Sequence, residues 1–418
     1  MASSPVFPLG REDIPDKASE ILDSYLQERS LAFKTLKGIQ NIVWQSPAAD
    51  KHFLKQREKA DSATLALKKY FFRMMQDIGD QLQVTKHIIP RPSEASKLKV
   101  LDICMAPGGY SATVLKHNGF ARIYGLSLPE EEGGHQILLP NWRKDPRVEV
   151  RLMDITMLSA ELGSPDLLPP HSLVASQFSN CRPFDGLEAD LVFCDGQVLR
   201  THERAVGSKF EASRLTAAQL IIALQRIKKG GTMVMLLHRV NSPRNVKLLH
   251  TFSQFAEIDL FKPAPSHATR SSFYLVAKNV DPTSPGACQM LENLKSSWKR
   301  RTLQAFNDEP YDVKRNMSGD EMRAILQSSF GERLISLGEP IWAIQQEALE
   351  KKFLRGSLSA HGLSQAGTQK SSRRRQKPEG SEGSTKESAH KRSGKTTRGK
   401  KLQEKADQEA LKEETQNE

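Results

Sequence analysis

Two periodicities divide the chain. Between residues 11 and 95, apolar residues recur at three- and four-residue steps, through Leu31, Phe33, Leu36, Ile39, Ile42 and Val43 and again through Leu65, Leu67, Tyr70, Phe71, Met74 and Ile78. That spacing predicts amphipathic helices, closed off by Pro90 and Pro92. From Leu98 short apolar runs take over: KVLDIC (99–104), ARIYGLSL (121–128), VEVRLMDI (148–155), DLVFCD (190–195), TMVMLLHRV (232–240) and FYLVAK (273–278). Helix-like stretches separate several of them, over 109–117 before Gly119 and over 211–228. Strands alternating with helices predict an α/β fold, a mainly parallel sheet covered on both faces. Continuous runs such as LVFC and MVMLL suit strands buried on both sides. FAEIDLF (255–261) reaches the last run through a short Pro-containing link, too short for a helical crossover, so the final pair is expected to be antiparallel. Beyond residue 285 helix returns through Leu291, Leu294 and Trp298, then a capping box at Ser318 and Glu321, then a helix over 341–354 with Pro340 in its first turn.

Composition adds a tail. The 418 residues hold 61 Lys+Arg against 49 Asp+Glu, a net charge of +12, and hydrophobic residues are only 38 %. Residues 356–418 contain no aromatic residue, and with 14 Lys/Arg and 9 Asp/Glu they leave +7 of the charge on residues 1–355. Such a segment is expected to be disordered. Its clusters at Arg373–Arg375 and Lys391–Arg392 suit a nuclear address or a non-specific nucleic-acid arm, and equally a solvated tail. The absence of a run of about 18 apolar residues argues against a membrane span, and the first residues lack a signal-peptide pattern. Four scattered cysteines without a CxxC pair give no disulfide framework or zinc site. The expected location is intracellular, nucleus or cytoplasm, with the basic tail favouring the nucleus.

Chemistry concentrates in Leu101-Asp-Ile-Cys-Met-Ala-Pro-Gly-Gly-Tyr-Ser111: a strand ending in an acid, a Pro-Gly-Gly turn, and a helix start. In open α/β sheets ligands sit beyond the carboxyl ends of the strands, and Gly108 and Gly109 would let the backbone approach one. The spacing is neither GxGxxG nor the Gly-Lys-Ser/Thr of a P-loop. DICMAPGGYS instead resembles the first motif of the FtsJ-like S-adenosylmethionine-dependent RNA 2'-O-methyltransferases. Further landmarks follow in order: Met153–Asp154 after the third strand, DLVFCD ending at Asp195, Gly230–Gly231, and Lys262–Pro263 with Arg270-Ser-Ser-Phe-Tyr-Leu-Val-Ala277. The resemblance covers about 98–280. It implies a Rossmann-like methyltransferase sheet over 98–280, flanked by helical extensions at 1–97 and 281–355 and the tail at 356–418.

By that resemblance S-adenosylmethionine is the cofactor, with Asp102, Ala106, Pro107, Gly108, Gly109, Tyr110, Asp154 and Asp195 around it. RNA is the implied partner. Asp102 as a helix N-cap and Asp154 as a turn-capping acid are the structural alternatives. The family's Lys-Asp-Lys-Glu tetrad is reduced to Asp195: Leu236 occupies the second lysine slot and Ser272 the glutamate slot. The first lysine aligns best with Arg73, with Lys68 and Lys69 nearby. Ser127 replaces a ribose-binding acid, and Cys104 replaces a glycine at a position expected not to require positive φ. His238, two residues past Leu236 on one strand face, is the candidate substitute base, since an imidazole accepts a proton near neutrality, with a strand-end histidine of no chemical role as the alternative. Arg200, His202, Lys262 and Arg270 are candidate substrate contacts, with solvated loop charge as the alternative. The expected function is RNA ribose 2'-O-methylation with Asp195, His238 and Arg73 as catalytic residues. A non-catalytic RNA-binding or assembly module and methyl transfer to another nucleophile are the alternatives.

Overall fold

A computed structural model describes residues 16–61, 64–91, 97–167, 175–198, 210–306 and 317–354. The tail and the candidate contacts Arg200 and His202 lie outside the described residues. Among the described residues four helices come first: α1 (Lys17–Arg29), α2 (Leu31–Trp44), α3 (Pro47–Asp61) and α4 (Leu65–Lys86). Ser30 ends α1 and caps α2, its hydroxyl accepting from Phe33 N at 3.0 Å. The buried face of α2 is Phe33, Leu36, Ile39 and Val43, while Leu31 and Ile42 from the same periodic set are exposed.

The α/β part runs β1 (Lys99–Ile103), α5 (Gly109–His117), β2 (Arg122–Ser127), β3 (Val148–Leu152), β4 (Ala189–Cys194), α6 (Glu211–Arg226), β5 (Ile227–His238), α7 (Pro243–Phe252), β6 (Glu257–Phe261) and β7 (Ser272–Val280). The sheet order is β3-β2-β1-β4-β5-β7-β6. The first five strands are parallel, and β7 is antiparallel to both β5 and β6. Order reverses between β1 and β4, which creates a crevice beyond their carboxyl ends. Gly230–Gly231, one of the landmarks of the resemblance, lies within β5 at a register shift, with Gly230 at φ +84°.

Helices α8 (Pro285–Phe306), α9 (Gly319–Gln327) and α10 (Ser329–Leu349) complete the fold, followed by a π-helical turn over Glu350–Leu354. Ser318 caps α9 through Glu321 N as expected. Pro340 is a correction: it lies inside α10 rather than opening a helix. Ser328 provides the N-cap of α10, and Gly338 leaves room for the Trp342 ring one turn on. Trp342 in turn packs on Phe33 of α2 at 5.1 Å.

One apolar cluster joins one sheet face to α1, α2, α6, α8, α9 and α10, so both helical extensions share its core. A second cluster joins the opposite face to α4 and α5. Both faces are covered, as the uninterrupted apolar runs required.

Candidate active site

The turn after β1 is held from behind. Asp102, buried at the strand end, accepts from Ser111 Oγ at 2.6 Å, tying β1 to α5. Burial pushes its carboxyl up to about 7, against the Ser111 hydrogen bonds. The N-cap residue of α5 is Gly108, yet the Asp102 carboxyl also accepts from the Ser111 backbone in the first turn, so it serves that helix start from the strand and lies off the cleft. Gly108 sits at φ +97°, a left-handed conformation that favours glycine. Gly109 answers a different need: a Cβ there would stand 2.4 Å from Met75 Cβ and 2.6 Å from Phe72 O of α4. Helix–helix approach, not ligand approach, thus accounts for Gly109, and neither glycine lines the cleft. Ala106, Pro107 and Tyr110 do line it. Cys104 is a further correction, since it adopts φ +63°. The glycine normally in its place served a backbone requirement that this chain meets with a side chain.

Asp195 ends β4 against a wall of aromatic rings. Tyr110 and Tyr274 share a hydrogen bond between hydroxyls at 2.6 Å, Tyr110 stacks on Phe193 at 5.0 Å, and His267 stacks on Tyr274 at 6.2 Å. Burial, then the charge of Asp102, pushes the Asp195 carboxyl up to about 8, with hydrogen bonds from Tyr274 and Tyr110 pulling the other way. Asp195 Oδ1, Ser272 Oγ and His267 Nδ1 are buried without a hydrogen-bond partner, and all three residues line one cleft. A buried polar atom left unpaired is costly, so this concentration marks a place prepared for a polar ligand. Burial with the nearby Arg270, Lys262 and His238 holds His267 down to about 3, hence neutral.

Register settles the remaining positions. Leu236 pairs with Tyr274 and His238 with Ser272, so the lysine and glutamate slots are occupied by an apolar side chain and a hydroxyl. His238 reaches the cleft, its Nε2 3.1 Å from Gln197 Oε1. Partial burial, then Arg270, Arg239 and Lys262, keep its pKa below the ordinary histidine value. Arg73 is not in this group: it is exposed on α4 and off the cleft. Lys68 and Phe71 of α4 face the cleft instead, and five residues on from Lys68 a helix has turned about 140° further. Lys68 Nζ lies 3.6 Å from Glu130.

Lys262 does not fit the expected phosphate contact. It is 3 % exposed and donates to the carbonyls of Arg270 at 2.5 Å and Ser272 at 2.8 Å, with its pKa lowered by burial to about 7. Arg270 is exposed on the cleft, as a substrate contact requires. Asp154 combines both of its readings: it lines the cleft and caps the next turn, accepting from Thr156 N at 2.9 Å and Oγ1 at 2.8 Å. Ser127 lines the cleft nearby.

The cleft has a volume of about 1570 Å³, and its far wall is built from α2, α3 and α10, including Trp44, Phe53 and Trp342. Gln197, Arg239 and His267 belong to it although the strand pattern singled out none of them. Residues 81–280 match the family model described as FtsJ-like methyltransferase. Residues 81–280 are an FtsJ-like methyltransferase domain.

Curated relatives of the chain include the cap-specific mRNA (nucleoside-2'-O-)-methyltransferase 1 of Danio rerio, 22 % identical over 270 residues, covering 63 % of this chain and 30 % of that protein. The cap-specific mRNA (nucleoside-2'-O-)-methyltransferase 2 of Drosophila melanogaster is 28 % identical over 110 residues, 26 % of this chain and 16 % of that one. The chain thus spans less than a third of the length of these relatives. Solved structures similar to it include the N-methyltransferase NodS of Bradyrhizobium japonicum with S-adenosyl-L-homocysteine, at 13 % identity over 54 % of this chain and 96 % of that chain, TM-score 0.33. An O-methyltransferase family protein of Burkholderia thailandensis is 14 % identical over 61 % and 76 %, TM-score 0.33.

The cofactor of the FtsJ-like domain is S-adenosylmethionine, and the residues present fit it. Asp195 Oδ1 offers an unpaired acceptor at the crevice where the sheet order reverses, suited to a cationic ligand, and the cleft exceeds the several hundred Å³ of a single small-molecule site. Ala106, Pro107, Tyr110, Ser127, Asp154 and Asp195 are the residues that would hold it. Among the described residues no helix is long and apolar enough to cross a membrane.

Proposed function

We propose that the chain methylates RNA at a ribose 2'-hydroxyl. The observation that carries this reading is the cluster of unpaired polar atoms on Asp195, His267 and Ser272 in a cleft large enough for cofactor and nucleotide together. The similarity to relatives named as mRNA cap 2'-O-methyltransferases supports the substrate class. When bound, S-adenosylmethionine supplies an electrophilic methyl group. The chain's own part is to orient the hydroxyl and accept its proton. Leu236 cannot do the second, having no titratable atom. His238 can: it is held neutral, and with Nε2–H donating to Gln197 Oε1 its Nδ1 lone pair is open to a proton. Asp195, holding a proton in the unliganded protein, ionises more readily once a cation lies beside it. Residues 1–97, 98–280 and 281–355 divide this work, with the extensions walling the cleft that the central domain floors. RNA as partner and residence in the nucleus or cytoplasm belong to the same proposal.

A second reading, a non-catalytic RNA-binding module, is favoured by Leu236 and Ser272 standing in the tetrad slots. Incubation with labelled S-adenosylmethionine and total RNA separates the two. The catalytic reading expects label in RNA from wild type and none from Asp195→Ala. Cofactor binding by calorimetry without any label transfer would favour the module.

A further inference from the structure

The loop that follows β3 is gripped from behind. Asp154 lines the cleft and accepts from both the backbone N–H and the hydroxyl of Thr156, at 2.9 and 2.8 Å. The direction of its carboxylate is therefore set by where Thr156 stands. Thr156 is in turn held by its carbonyl. Trp298 Nε1 donates to Thr156 O at 3.1 Å, and Arg214 Nη2 donates to the same oxygen at 3.3 Å. Trp298 belongs to α8, in the C-terminal extension, and Arg214 to α6. Thr302, one turn beyond Trp298 on the same face of α8, accepts from Arg214 Nε at 3.1 Å. Thr156, Arg214, Trp298 and Thr302 are each no more than 2 % exposed, so these bonds form away from competing water.

Core packing alone does not call for this arrangement. A buried indole N–H needs one acceptor, and any unpaired carbonyl nearby would serve. Here donors from two helices converge on one carbonyl and use both of its lone pairs, and it belongs to the residue that sets Asp154. The place also needs a brace. β3 stands at the end of the sheet order, paired through β2, so the loop leaving it has sheet on one side only. The helices α6 and α8 supply the hold that a second neighbouring strand would otherwise give.

We propose that Trp298 and Arg214 are positioning residues for S-adenosylmethionine, acting through Thr156 on Asp154, so that α8 of the C-terminal extension is part of the cofactor site. The proposal rests on Asp154 as a cofactor residue and is independent of the methyl acceptor. Cofactor affinity then depends on an indole 142 residues further along the chain than Thr156. Linkage makes the coupling reciprocal: cofactor in the cleft stabilises the docking of α8 by the same factor by which docked α8 favours the cofactor.

The test uses the full chain and S-adenosyl-L-homocysteine, the unreactive product, with affinity from calorimetry and stability from thermal unfolding. Trp298→Phe keeps an aromatic ring in the core and removes the N–H. It is expected to weaken binding about fivefold, the net effect of one hydrogen bond. Asp154→Asn keeps an oxygen for Thr156 and is expected to weaken binding by about tenfold or more, the effect of a charged one. Because Trp298 acts through Asp154, Trp298→Phe should weaken binding less in the Asp154→Asn background, while lowering the melting temperature equally in both. Met290→Ala, at another buried position of α8, is the control: it should melt lower and bind as wild type does. Wild-type affinity in folded Trp298→Phe would overturn the proposal. So would the same fold-loss in both backgrounds, or an equal loss in Met290→Ala, since either would make the indole merely structural. Should Trp298→Phe not fold, Thr302→Val makes the same test by removing the acceptor that orients Arg214 Nε, and unchanged affinity there has the same meaning. Wild-type affinity in Asp154→Asn would take Asp154 out of the cofactor site, and the proposal with it. No measurement here involves RNA, so absence of methyl transfer leaves the outcome untouched and the two readings fail separately.

Discussion

Replacing Gly109 by alanine tests whether the Pro-Gly-Gly turn is shaped by the ligand or by the protein. The added Cβ would meet Met75 Cβ at 2.4 Å, Phe72 O at 2.6 Å and Gln76 N at 3.0 Å. Two of these are backbone atoms of α4, so a rotamer change cannot relieve the contact and the helix must move. Overpacking of this kind costs about 1–3 kcal/mol, and the involvement of backbone places Gly109→Ala near the top of that range. Better helix propensity returns at most about 1 kcal/mol, leaving a net loss of roughly 2 kcal/mol. For a folded unit of more than 300 residues, that lowers the melting temperature by about 3 °C. Thermal unfolding followed by circular dichroism, with Gly119→Ala as control, provides the assay, since a Cβ at Gly119 meets nothing within 4 Å. Because α4 also carries Lys68 and Phe71 to the cleft, cofactor affinity should fall together with stability. A Gly109→Ala protein that melts with wild type but loses S-adenosylmethionine would refute the packing argument and restore the ligand-approach reading.

Other outcomes follow from the buried charges. Asp195 and Asp102 titrate near 8 and 7 in the folded protein, above an ordinary aspartate, so the native state holds the extra protons between about pH 4 and those values. Unliganded stability should therefore fall as pH rises through that window, by up to about 1.4 kcal/mol per unit for each carboxyl; Asp195→Asn should flatten the melting temperature against pH, and an unchanged slope would exclude the burial argument. If His238 is the base, activity falls as pH drops through its lowered pKa and protonation removes the lone pair. The acid limb of kcat should disappear in His238→Leu, leaving a slower, flatter profile; an identical limb in the variant places the base elsewhere. Arg226 and Glu161 form a buried pair at 2.8 Å. Arg226→Met strands that carboxylate at a cost of about 3–5 kcal/mol, part of which Glu161→Leu should restore, and chemical denaturation of the single and double variants measures both.

Much of the site was legible because its signals are local. The cleft acids Asp154 and Asp195, the cleft-lining Ala106, Pro107 and Tyr110 of the turn, and the closing hairpin lie within short, contiguous segments, and the parallel-then-antiparallel strand sequence follows from the lengths of the links. His238 was reachable by strand alternation counted from Leu236, the slot given by the family resemblance, and in the structure it pairs with Ser272. Arg73 and Lys68 show the limit. Both fit a helix before the first strand, and only the docking of α4 against Gly109 decides which face looks into the cleft. Cys104 shows another: its positive φ comes from the path of the turn, which no side-chain pattern reports. Lys262 reads as a surface cation until its partners are seen to be backbone carbonyls.

The order of strands and helices, the glycine turn and the acids at strand ends were determined by the sequence itself, because each depends on residues within a few positions of one another. The tertiary structure alone decided the cleft. Its far wall comes from α2 and α3 and, some 300 residues on, α10, which meet through a shared apolar core. It also decided which charges count, because protonation depends on burial and on neighbours brought in from other elements. Asp195 beside Asp102 is driven to hold a proton, and Lys262 is turned inward.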